Sequence, residues 1–108
     1  MRLRLHYSPE ALSQLDDLDD YITELAGASV AASYLDRLLD FCDGIANEPI
    51  SGHRRDDLIP GLLTLTFEKK RVVCFVAIER DIHIVAIYGT GQNWERDLLD
   101  DPPPTPRR

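Results

Sequence analysis

The groups of this chain with chemistry in them are the histidines His6, His53 and His83, the cations Arg54, Arg55, Lys69, Lys70, Arg71 and Arg80, the paired carboxylates Asp16-Asp17 and Asp19-Asp20, and the thiols of Cys42 and Cys74. A histidine base among clustered cations could cleave RNA, where a 2′-hydroxyl attacks the adjacent phosphate and the charge on the phosphorane must be stabilised. The spacing argues against it. Arg54 and Arg55 precede two aspartates, and the remaining cations fall in or beside turns between apolar runs, where charge serves solubility. His83 alternates with Val85 and Ile87, as a packed or partner-facing residue does, while His6 and His53 stand alone. There is no Gly-rich phosphate loop, no HExxH and no G-x-S-x-G elbow. The cysteines have neither CxxC spacing nor clustered histidines, so buried reduced thiols are expected rather than a metal site or a disulfide. No catalytic residue, metal or cofactor is assigned, and action by binding is the expectation.

The elements that must position these groups follow from periodicity. Residues 72–78, Val-Val-Cys-Phe-Val-Ala-Ile, are a strand-length run that is apolar on both faces of the pleat. The runs Leu62–Phe67 and Ile82–Tyr88 flank it through short links, which implies an antiparallel meander. Arg2–Tyr7 alternates with period two and suits an edge strand. Ser8-Pro9-Glu10 then combines an N-cap, a first-turn proline and a carboxylate at the positive helix end, so a helix begins at Pro9. Its stripe of Ala11, Leu12, Leu15, Leu18, Ile22 and Leu25 leaves Asp16, Asp17, Asp19, Asp20 and Glu24 on a solvated face. Gly27 stops it, Ser29 can cap a second helix, and Asn47-Glu48-Pro49 ends that one, giving an antiparallel hairpin. Residues 49–61 read as an irregular connector and Trp94–Leu99 as a short terminal helix.

The expected fold is α+β: an N-terminal strand, a two-helix hairpin packed on a small antiparallel sheet with a C-terminal three-strand meander, and a short terminal helix. At 108 residues it fits one domain over 1–100, with 101–108 a disordered Pro-rich tail. Residues 1–50 carry three Lys/Arg against ten Asp/Glu, which accounts for the whole net charge of −7 and disfavours a reader of DNA or RNA. No run approaches a membrane span and the N-terminus lacks a signal-peptide core, so a cytoplasmic protein is expected.

This order of elements resembles the RelE/ParE superfamily of type II toxins, the ParE branch above all. Tyr7-Ser8-Pro9-Glu10-Ala11 with Leu15 and Tyr21-Ile22 is similar to that branch's first helix, and Ala32-x-Tyr34-Leu35-x-x-Leu38 to its second. Pro49-x-x-Gly52 through Asp56-Asp57-Leu58-x-Pro60-Gly61-Leu62 is the most specific stretch, and Ile84-Val85-Ala86-Ile87 leading into Gln92-Asn93-Trp94-Glu95 resembles the last strand and C-terminal segment. Leu63, Ala86 and Gly89 depart from the arginine, arginine and histidine common at those places. The resemblance implies a toxin neutralised by a ParD-like antitoxin in a hetero-oligomer, a heterotetramer or larger, with DNA gyrase as target, operator DNA being left to the antitoxin. The rival branch, RelE, would imply ribosome-dependent mRNA cleavage, and a nontoxic partner-binding relative is the third reading.

Two helices cover one face of a small sheet, so the other face is expected to await the antitoxin. Of the alternating sets on the central strand, Val72/Cys74/Val76/Ile78 is the bulkier and is assigned to the core under the helices. Val73 and Phe75 are then left for the antitoxin, with Arg71, Arg80, His83 and Leu12 as further contacts. Gln92, Asn93, Trp94 and Leu98 are the candidate target contacts, against the simpler reading that Trp94 and Leu98 pin their helix to the sheet.

Overall fold

The computed structural model describes residues 2–47 and 51–106. Strand β1 (Arg4–Tyr7) leads into helices α1 (Pro9–Ala26) and α2 (Ala28–Asn47). Strands β2 (His53–Arg54), β3 (Leu63–Phe67), β4 (Arg71–Ile78) and β5 (Asp81–Gly89) follow, then helix α3 (Trp94–Asp100). The sheet order is β1-β5-β4-β3-β2, with β1 parallel to β5 and the other pairs antiparallel. The α+β fold and the meander are those the sequence implies, but the parallel β1–β5 pair makes the sheet mixed rather than antiparallel. β2 is additional: two residues of the connector pair with Leu63 and Thr64 at the far edge. Glu48 and Pro49, read as the stop of the second helix, lie outside the described residues.

Local chemistry explains the element ends. The Ser8 hydroxyl accepts from the Ala11 amide at 3.0 Å and Pro9 occupies the first helical position, so α1 begins where expected. The same hydroxyl donates to the Val85 carbonyl at 2.9 Å, fixing the helix start to β5. Gly27, at φ 98°, takes the left-handed conformation that lets the chain reverse between the helices. The second helix starts at Ala28, two residues earlier than a Ser29 cap would place it, because the Gly27 carbonyl already accepts from the Ala31 amide.

β5 breaks its own alternation. Cys74 pairs with Ala86 but Phe75 with Ile84, so Val85 is an extra residue. Ile82 and Ile84 on one side of this bulge and Ile87 on the other all join the hairpin-side core, while Val85, Ala86 and Tyr88 turn to the opposite face. The backbone groups left without a strand partner are met by α1. Ser8 takes the Val85 carbonyl, and the Gln14 side-chain oxygen takes the Ile87 amide at 2.6 Å.

Two expectations about the sheet faces are corrected. Val73 and Phe75, both fully buried, lie in the core beneath the hairpin with Ala11, Leu18, Leu38, Cys42 and Ile45, so the antitoxin cannot reach them on the folded chain. Val72, Cys74 and Val76 face the other way. That second face is not bare either: Leu58, Ile59 and Leu62 of the connector and Leu98 and Trp94 of α3 pack over it. Both faces are interior, so the summed volume of a set does not say which cover it meets. Phe75, the largest apolar side chain of β4, is fully buried in the hairpin-side core. The tail through Pro106 has no regular structure, as its prolines dictate, yet Pro103 is buried.

Candidate functional site

With both sheet faces covered, the exposed large apolar side chains among the described residues lie on the hairpin, apart from Leu99 of α3. Tyr7, Leu12, Leu15, Leu35 and Leu39 line a groove of about 390 Å³, rimmed by Asp16 and Asp19. It exists because the apolar stripes of α1 and α2 are wider than the strip where the helices meet each other and the sheet: Leu12 is 50% exposed and Leu39 37%. Leu12 was identified from sequence as a contact. Leu39, Leu35, Leu15 and Tyr7 were not, although the step of four from Leu35 to Leu39 carries the signal.

The remaining expected antitoxin contacts do not converge on one patch. Arg71 begins β4 and Arg80 follows its end, so the length of the strand, about 23 Å, separates them. Arg80 is exposed in the β4–β5 turn. Arg71 is half-buried and lines a second cleft, of about 280 Å³, with Gln14, Asp17 and Tyr21 of α1, Gly89 of β5 and Gln92. His83 lies on the face away from the hairpin, at the β1 edge. There its ring stacks on His6 at 4.7 Å, His6 Nε2 meets Asp81 Oδ1 at 2.7 Å, and Arg4 donates twice to the same carboxylate at 2.8 and 2.9 Å. Burial, then the charge of His6, holds the His83 imidazole below its ordinary range, and the hydrogen bonds from His6 and Arg4 hold Asp81 below the usual carboxylate range.

The candidate target contacts are largely engaged within the fold. Leu98 is fully buried, and Trp94 stacks on Tyr88 at 6.1 Å with the Arg55 guanidinium over its ring at 5.5 Å. Gln92 accepts from the Gly89 amide at 3.0 Å and donates to Asp97 at 2.7 Å. Asn93 is exposed at the cap position of α3 and makes no side-chain cap bond. Trp94 and Leu98 thus pin α3 to the sheet. Arg55, which the sequence sets just before two aspartates, completes the attachment through Asp57 and Glu95, and hydrogen bonds to both carboxylates raise its pKa further.

The arrangement gives acid–base chemistry little to work with. His83 is paired across from Val76 and Arg71 from Gly89, so the cluster that could move a proton and the cleft that holds Arg71 are at opposite ends of β5. Burial pushes the Cys42 thiol up to about 11 and the Cys74 thiol up to about 12, so both stay protonated and unsuited to nucleophilic attack or metal ligation. Among the described residues no group of histidine, cysteine and carboxylate side chains could hold a metal ion, and no helix is long and apolar enough to cross a membrane.

Comparison with known proteins agrees with this architecture. A solved structure described as the chromosomal ParDE toxin–antitoxin system from P. aeruginosa superposes with a TM-score of 0.68 at 23% identity, covering 82% of this chain and 96% of the other, which shows a shared fold. No curated protein matches the sequence. Residues 5–94 match the family described as the ParE toxin of the type II toxin–antitoxin system parDE. That span takes in β1, the hairpin, the sheet and the start of α3, and the chain accordingly belongs to the ParE toxin family.

Proposed function

We propose that this toxin acts by binding DNA gyrase and is neutralised by a ParD-like antitoxin whose C-terminal segment folds into the hairpin groove. The observation that carries the reading is the groove itself: an apolar trough between two helices, with Leu12 and Leu39 exposed, on a molecule whose sheet faces are already filled. An amphipathic helix fits such a trough through residues spaced three and four apart. Asp16 and Asp19 on the rim favour a segment that flanks its apolar residues with lysine or arginine. A segment unfolded when free would order on binding and wrap a large area.

Action by binding is supported by the scatter of the cations. Arg2, Arg4, Arg37, Arg54, Arg55 and Arg96 are each paired with a carboxylate, and the histidine cluster stands apart from Arg71. Purified toxin added to gyrase should inhibit supercoiling or trap the cleaved complex, and the antitoxin added first should prevent this. Undiminished supercoiling together with codon-dependent mRNA cuts in a translating extract would overturn the reading.

A further inference from the structure

We infer that the cleft between α1 and the far end of β5 is a second polypeptide-binding site, one that takes a carboxylate against Arg71 and a cationic side chain against Asp17. Six of the described arginines pair with a carboxylate; Arg71 does not, although it is half-buried in a chain of net charge −7. Its intramolecular hydrogen bond is to the Lys70 carbonyl at 3.0 Å, and its guanidinium rests over the Tyr34 ring at 5.9 Å, which holds it without neutralising it.

The residue opposite Arg71 in the strand register is Gly89. A Cβ there would stand 3.1 Å from Arg71 Nη1 and 3.4 Å from Gln92 Oε1, so the glycine leaves the cleft floor open beside the guanidinium. On the opposite wall the Asp17 carboxylate makes no hydrogen bond or ion pair to another described residue. Arg71 continues the basic turn of Lys69 and Lys70, whereas Asp17 belongs to the acidic face of α1. The cleft therefore lies across a boundary in the sign of the surface charge. A polyanion such as nucleic acid would gain at one wall and be repelled at the other, while a peptide that carries both a carboxylate and a cation satisfies both. The inference goes beyond the antitoxin groove, which is on the other side of α1 and could fail its own test without affecting this one.

The probe is a capped alanine-based peptide carrying one glutamate and one lysine at i,i+4 spacing, titrated into the full chain while amide and arginine Nε–Hε signals are followed by NMR. Saturable shifts are expected at Gly89, the Gln92 side chain and Arg71. At equal concentration they should shrink about five-fold or more when the peptide's glutamate is replaced by glutamine, and likewise in Arg71→Gln protein. Asp17→Asn should weaken the response about two-fold or more, and losing the peptide's lysine should do the same. If Arg71→Gln loses its folded spectrum, Asp17→Asn and the altered peptides decide. Absence of saturable shifts, equal shifts with the glutamine peptide, or a stronger response to a short single-stranded RNA would overturn the assignment.

Discussion

At the scale of single residues, the cluster of Arg4, His6, Asp81 and His83 ties the edge strand to β5 by side chains as well as by the parallel ladder. The charged groups that act on the His83 ring are His6 and Asp81. The imidazole is harder to protonate in the folded chain than in the unfolded one, chiefly through burial and then through His6. The unfolded state therefore binds the extra proton first as pH falls below about 6.5, and stability declines from there towards the lower folded value. Asp81 adds a second decline in the same direction, beginning below about pH 4, because its folded pKa is also depressed. Thermal unfolding followed between pH 7.5 and 5 should show Tm falling with acid, and His83→Gln should flatten that dependence. An unchanged slope in the variant would show that other groups carry it.

At the scale of elements, α3 serves as the cover of the second sheet face. Seven residues make a helix too short to persist unaided, so its place depends on Leu98, on the Trp94–Tyr88 stack and on Arg55. Leu98→Ala should cost about 2–4 kcal/mol in equilibrium denaturation, since the vacated space lies against Cys74, Val85 and Tyr88, which cannot collapse into it without disturbing β4 and β5. A loss below about 0.5 kcal/mol would show that the helix is a loose appendage. What the sequence disclosed divides along the same line. The start of α1 at Ser8-Pro9, the turn at Gly27, the hairpin stripes and the three meander strands were legible because each is written in local spacing and capping chemistry. The covering of the second face was not, because the connector's Leu58, Ile59 and Leu62 have no period and α3 offers one fully buried side chain. The bulge at Val85 hid the true facing of β5, since a strict alternation of two puts Ile84 and Ile87 on opposite faces. Arg71 and Leu12 were identified, but the partners that make each part of a cleft come from other elements, brought near only by the fold.

At the scale of the molecule, the hairpin groove and the Arg71 cleft lie on either side of α1, the groove taking only Tyr7 from the sheet and the cleft only Arg71, Ile87 and Gly89 at the far ends of β4 and β5. A toxin built this way can be held by its antitoxin without opening its core. That is the central claim, and it differs sharply from docking on the sheet. Calorimetric titration of the cognate antitoxin's C-terminal segment into wild-type toxin and Leu12→Asp toxin tests it most directly. Burying the exposed half of Leu12 contributes about 1 kcal/mol and an aspartate in the filled groove adds a desolvation cost of about 1–3 kcal/mol, so the variant, folded by circular dichroism, should bind roughly ten- to a hundred-fold more weakly. Wild-type affinity in that variant would contradict the account.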